Sequence, residues 1–481
     1  MQGQGSDQEP TVTGVKTKDY WVHFRVPDGL MPDKQFDGRP AKLQVHRVQP
    51  EYRPGQSPSS VPAVVLIHGR TVPGPVVFDL RDPATGGGDL NLSLQVALAK
   101  AGIDTFAPSL LGYGRSTRFD EGLNDPGNAS LRACGGTSSF PEGCDRTLIE
   151  GINPLDQQGQ QNPTLLWVNP LGGQRRRHSS HFRFARTDVW VRDIDNVIAS
   201  AIEENQNDYG GAGPGAGSDQ GKVVLVGYSL GGQHVGRTLY ANTPTNEPRD
   251  VLGEREEVID KVSRVVFLNS LFGGPTEEAD PFTPPTFPLT VNGRPGSDAL
   301  WRAVGISADC PGRVIPGTQA QVWTQTMEQE SVGREWGGDD PARPTGLNRA
   351  PTFSGYGWNP QVAGQLSKPT LVIQGLNDGI LPTGPFPGQA GPGTGRAIYD
   401  ALYKTLALPP GVQMPNKVLV EVECASHALV WEGSATWAGP HYMLKKALID
   451  WIKSETFNGA KNGAKNGSFI VNESGVASAA T

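Results

Sequence analysis

The chain has 481 residues, a formal net charge of -7, 36% hydrophobic residues, 62 Gly and 41 Pro. That length exceeds one minimal core, so a main domain with large insertions or two domains is expected, and the Gly and Pro surplus points to generous surface loops. The acidic balance gives no reason to expect a polyanionic partner, so no nucleic-acid partner is expected, and no apolar window of about 18 residues exists to form a transmembrane helix.

Alternating segments at 20–26 and 42–48 read as an antiparallel pair opening the sheet. Residues 61–67 form an unbroken aliphatic run ending in His68-Gly69, the pattern of a central strand buried on both faces. A helix over 90–101, stopped by Gly102, then leads to a strand at 103–107, making a strand-helix-strand unit with parallel strands. After Gly112-Tyr113-Gly114-Arg115-Ser116, residues 117–186 lack sustained periodicity and read as an insertion. Within it, Arg175-Arg176-Arg177-His178 is read as solvated surface in a loop-like stretch. A helix follows over 187–205, with Trp190, Ile194, Val197, Ile198 and Ala201 inward and Asp193, Asp195 and Asn196 off that face.

A flexible connector at 210–221 precedes a strand at 223–227 and a helix from 232 to 241. Strands at 264–269 and 371–374 come next, separated by residues 273–367, an aromatic-rich stretch read as a cap or lid that holds Trp301, Trp323, Trp336 and Trp358. A helix at 396–406, a last strand at 417–423 and an amphipathic helix at 441–454 complete the core, and residues 457–481 read as a flexible tail. The expected domains are a core of 15–272 plus 368–456, the cap, and that tail.

Gly227-Tyr228-Ser229-Leu230-Gly231 is the one G-x-S-x-G in the sequence, and it lies between a strand and a helix, where this motif places a nucleophile. A serine hydroxyl needs a base. Of eight histidines, His427 follows the last strand in a loop at its C-terminal end, the side where ligands bind in open α/β sheets. Its other nitrogen needs a carboxylate, and Asp378, just past the 371–374 strand, is the choice over Glu277, Glu278, Asp280 and Glu432.

The four cysteines allow three pairings, and the short, Gly- and Pro-containing spacing favours Cys134 with Cys144, leaving Cys310 with Cys424. Disulfides imply an oxidising compartment, so a secreted or periplasmic mature form is expected, its leader replaced by the start Met. No CxxC or His/Cys cluster suggests zinc.

On these motifs the chain resembles the α/β-hydrolase superfamily, esterase/lipase-like and capped, over about 61–453. The resemblance implies a mostly parallel sheet flanked by helices, with a large insertion after the fourth strand and a cap after the sixth. It also implies an oxyanion hole from the backbone N–H groups of Arg70 and Leu230, and no metal or organic cofactor. Many relatives begin the second landmark turn Asp-x-Arg-Gly, whereas Ser109 and Leu111 stand at the charged positions here. The expected activity is hydrolysis of a small or polymeric carboxylic ester. A serine peptidase, C–C hydrolase or thioesterase would share the constellation, and an inactive binding protein is the rival outside enzymes.

Overall fold

The computed structural model describes residues 10–28, 36–56, 58, 60–81, 92–117, 166–168, 175–177, 187–210, 221–240, 258–273, 289–292, 310, 314–330, 334, 348–351, 357–379, 394–433, 440–459 and 463–480. The first two strands, β1 (Val12–Arg25) and β2 (Pro40–Tyr52), pair antiparallel over their full lengths. Next come β3 (Ala63–Ile67), α1 (Gly74–Phe78), α2 (Leu94–Lys100) and β4 (Asp104–Pro108). A small hairpin, β5 (Leu166–Val168) with β6 (Arg175–Arg177), puts the three arginines on a strand where a loop was expected. The chain continues through α3 (Thr187–Tyr209), β7 (Val223–Tyr228), α4 (Leu230–Leu239) and β8 (Val262–Leu268). It then passes through β9 (Leu289–Asn292), α5 (Thr318–Gln329), β10 (Asn348–Pro351), α6 (Pro360–Ala363) and β11 (Thr370–Gly375). The last elements are α7 (Thr394–Ala401), β12 (Lys417–Val422), α8 (Pro440–Ser454), β13 (Gly467–Val471) and β14 (Ala477–Ala479).

Ten strands make one sheet in the order β1-β2-β4-β3-β7-β8-β11-β12-β13-β14, parallel from β4 through β13. This order, with a strand–Ser229–helix turn on a central strand, is the α/β-hydrolase fold. Alternate residues of each strand feed two cores, as the period of two requires. Val65, Leu225, Phe267 and Val372 face α3 and α4, while Leu66, Val226, Val266 and Ile373 face α2 and α8. Apolar area removed from water is the main stabiliser, at roughly 25 cal/mol per Å².

Four expectations change. The described part of the expected tail is built into the sheet: β13 adds a parallel strand beside β12, with Phe469 and Val471 in the core, and β14 closes the edge. A three-residue apolar stretch, Phe469 to Val471, behind Asn-Gly-Ala-Lys composition hides that strand. Second, the cap boundary at 367 is too late, because Trp358 is fully buried and stacks on Phe267 with ring centroids 5.0 Å apart. Val362, Ala363 and Leu366 join the same core, so this part of the chain belongs to the main domain. Third, α1 forms where no element was expected, and α5, which holds the buried Trp323, packs against it. Fourth, Asp193 and Asp195 are buried rather than solvated. Asp193 Oδ2 accepts the Leu111 N–H at 2.7 Å, and Asp195 faces Arg192 and Lys261, each at 3.8 Å. Cys134 and Cys144 lie outside the described residues, as does most of 117–186. Among the described residues no helix is long and apolar enough to cross a membrane.

Candidate active site

β7 ends at Tyr228 and α4 begins at Leu230, leaving Ser229 alone to turn the chain with φ 54° and ψ -127°. A side-chain-bearing residue at positive φ is strained and persists because its surroundings fix it. A Cβ at Gly227 would stand 2.5 Å from Gly232 Cα, and one at Gly231 would stand 2.4 Å from the Ile67 carbonyl oxygen. Both glycines are therefore required by close backbone approach. The end of β8 braces the turn: Ser229 N–H donates to Leu268 O at 2.9 Å, and Ser270 Oγ donates to Ser229 O at 3.0 Å.

His427 lies in the loop after β12, and its Nε2 is 2.8 Å from Ser229 Oγ. Its Nδ1 is 2.8 Å from Asp378 Oδ2, and Asp378 is fully buried in the turn after β11. With Nδ1–H donated to the carboxylate, Nε2 is left to accept the Ser229 hydroxyl proton. Three segments, each at the C-terminal end of a parallel strand, thus meet in one hydrogen-bonded line. The rival Glu432 is buried and engaged elsewhere, its Oε2 accepting the Ser426 N–H at 2.9 Å and its Oε1 the Ser426 hydroxyl. Glu277, Glu278 and Asp280 lie outside the described residues.

Arg70 and Leu230 fall where the sequence placed them, in the turn after β3 and at the first residue of α4. The two turns touch, since a Cβ at Gly69 would stand 2.7 Å from Ser229 Cβ. His68 is buried, with Nδ1–H donating to Gly69 O at 2.7 Å and Nε2 accepting the Leu110 N–H at 3.1 Å. Burial lowers its pKa to about 4, so it stays neutral and fixes this turn. Thr71, at φ 75°, has its carbonyl held by Asn348 Nδ2 of β10 at 2.6 Å, which ties the long segment after β8 to the turn bearing Arg70.

The Ser109–Ser116 turn is held by side chains of α3. Asp193 and the Trp190 indole N–H grip the N–H and carbonyl of Leu111, and burial pushes the Asp193 carboxyl up to about 8. Cys310 and Cys424 are disulfide-bonded with Cα atoms 5.7 Å apart, three residues before His427. Among the described residues the one cluster of metal-ligating types is Cys310, Cys424 and Glu473, and its two sulfurs are already bonded to each other. A cavity of about 150 Å³ opens at the opposite end of the sheet, by Ala63, Val224 and Ser263 at the starts of β3, β7 and β8, remote from Ser229.

Sequence reasoning missed Asn269, whose side chain joins the Asp378 and His427 segments, and the Tyr228 hydroxyl, which donates to His427 O at 2.6 Å. The visible signal was slight: an Asn directly after a strand, and a Tyr inside the serine motif.

No protein-family model matches the sequence, and no curated protein matches it. Solved structures are similar. A bromoperoxidase from Bacillus anthracis is 14% identical, with 86% of this chain and 97% of that one covered at a TM-score of 0.41. The thioesterase domain from the curacin biosynthetic pathway is 10% identical, covering 91% and 99%, at a TM-score of 0.39. The esterase RhEst1 from Rhodococcus sp. ECU1013 is 13% identical, covering 86% and 95%, at a TM-score of 0.35. At such scores they add nothing to what the strand order establishes, and no activity is carried over from them.

Proposed function

We propose that this chain is a serine hydrolase that cleaves carboxylic esters through an acyl-enzyme on Ser229. The observation that carries the reading is the pair of 2.8 Å contacts, Ser229 Oγ to His427 Nε2 and His427 Nδ1 to Asp378 Oδ2. In this reading His427 takes the Ser229 proton as Oγ attacks the ester carbonyl. Asp378 fixes the imidazole tautomer and stabilises the imidazolium that forms. The backbone N–H groups of Arg70 and Leu230 receive the oxyanion, the second aided by the N-terminus of α4. His427 then returns the proton to the leaving alcohol, and water activated by the same imidazole releases the acid.

The aromatic-rich segment after β8 is assigned as a cap bounding the substrate cleft, over 273–356 rather than to 367. The bonded Cys310–Cys424 pair favours work outside the cytoplasm. The test is labelling with a fluorophosphonate beside hydrolysis of p-nitrophenyl esters of graded chain length. Wild type should react with both. Ser229→Ala should take no label and lose about 10⁶-fold in turnover, and Asp378→Asn about 10⁴-fold. A wild-type protein that takes no label and cleaves no ester, amide or thioester in the panel refutes the reading.

A further inference from the structure

Asn269 follows β8 directly and adopts φ 42°, a left-handed conformation that Asn tolerates better than most residues. It is fully buried. Its backbone N–H donates to Ile373 O of β11 at 2.8 Å. Its side-chain Oδ1 accepts the Gly375 N–H at 2.8 Å, at the start of the turn that carries Asp378. Its Nδ2 donates to Ser426 O at 2.8 Å and to His427 O at 3.1 Å. The flanking residues reach the third segment, since Leu268 O accepts the Ser229 N–H and Ser270 Oγ donates to Ser229 O. Residues 268–270 therefore touch all three strand ends from which Ser229, Asp378 and His427 project.

The pattern of partners selects the amide. One side must accept a backbone N–H while the other donates to two carbonyl oxygens, a combination that an ionised carboxylate cannot supply and a hydrocarbon cannot supply at all. We infer that Asn269 is a positioning residue, which sets the spacing between the Asp378 turn and the His427 loop through its side-chain amide. The inference rests on the reading of Ser229, His427 and Asp378 as the reacting line. It extends that reading to a residue that touches no substrate.

The experiment replaces Asn269 by Asp and follows kcat and KM for p-nitrophenyl butyrate against pH, with the rate of fluorophosphonate labelling of Ser229 measured on the same samples. An ionised carboxylate at 269 faces the carbonyls of Ser426 and His427 and holds no proton to donate. A protonated one keeps an acceptor for the Gly375 N–H and regains one donor. Asn269→Asp should thus lose about 10²-fold in kcat at alkaline pH, the scale of a small misplacement, with KM little changed. The ratio of variant to wild-type kcat should rise as pH falls. The ionisable groups on the surrounding loops, His427, Asp378, Tyr228 and Glu432, are present in both proteins, so the ratio reports position 269. A ratio near one at every pH, or a loss that is flat with pH, overturns the inference. Should Asn269→Asp not fold, Asn269→Ser is measured instead: it is neutral and too short to span both partners, so kcat should fall while KM holds, and an unchanged kcat overturns the inference. Wild-type labelling with an unaffected Asn269→Asp leaves the hydrolase reading standing, whereas an unlabelled, inactive wild type removes both.

Discussion

The phenol of Tyr228 donates to the backbone carbonyl of His427 at 2.6 Å, so the residue before the candidate nucleophile holds the loop that carries its candidate base. Burial, and after it the charges of Asp378 and Glu432, raise the Tyr228 pKa well above its usual value, which keeps the hydroxyl a donor throughout the working range. Tyr228→Phe removes one of the two side-chain bonds on that carbonyl and leaves the Asn269 bond. A net hydrogen bond of about 1 kcal/mol corresponds to roughly a fivefold fall in turnover. Ester hydrolysis checks this, and a variant as fast as wild type would show that Asn269 alone suffices.

The Cys310–Cys424 bridge closes a loop over a sequence separation of 114 and attaches to the strand end that leads to His427. Cys310→Ser/Cys424→Ser should lose about 2–5 kcal/mol of stability, the range for a native bridge. Turnover should fall as well, because freeing Cys424 frees the base. Chemical denaturation and steady-state kinetics on the double variant separate the two effects, and lower stability with intact kcat would confine the bridge to a scaffold role.

His46 on β2 sits between two carboxylates, Nδ1 at 2.6 Å from Asp19 and Nε2 at 2.8 Å from Asp79. Burial by itself would lower its pKa, but hydrogen bonds to Asp19 and Asp79 and their charges outweigh that and raise it to about 9. A folded-state pKa above the unfolded value of about 6.5 means the cluster's contribution is complete below that pH and disappears as pH rises through 9. It amounts to on the order of 3 kcal/mol at most, since Asp19 is partly open to solvent. Wild-type melting temperature should therefore drop between pH 6.5 and 9.5, and His46→Gln should flatten that slope. Parallel slopes in the two proteins would discount the cluster.

Phe469 of β13 is buried against Phe457, ring centroids 5.2 Å apart, in the core beneath β12. Phe469→Ala should cost about 3 kcal/mol in denaturant unfolding, a core value rather than a tail value. A change below about 0.5 kcal/mol, the usual size for an exposed site, would restore the tail reading.

Much of this was legible in the residues. The run at 63–67 is aliphatic throughout, and 223–226, 265–268, 371–373 and 418–420 are unbroken apolar runs, because these strands are covered on both faces. Ser229, Asp378 and His427 each stand just past the end of such a run, so locating the strands located the site. What escaped depends on tertiary partners. Helical periodicity sends Asp193 to solvent, whereas its carboxyl turns inward to take the Leu111 N–H. Trp358 reads as a cap residue until Phe267 and Tyr240 are seen stacked on it. Asn269 has meaning only once three separate strand ends lie side by side.

The two longest stretches between core elements, from Pro108 to Thr187 and from Leu268 to Pro360, both depart from the rim where Ser229 emerges. The strands described inside them, β5 with β6 and β9 with β10, pair with each other and lie outside the ten-stranded sheet. Under the proposed function, the ten-stranded frame and the Asn269 and Cys310 anchors hold the reacting line, and the pieces beyond them are where substrate choice would be set. Grafting such a piece while keeping Asn269, Ser270, Cys310 and Trp358 is the natural way to change which molecules reach the serine.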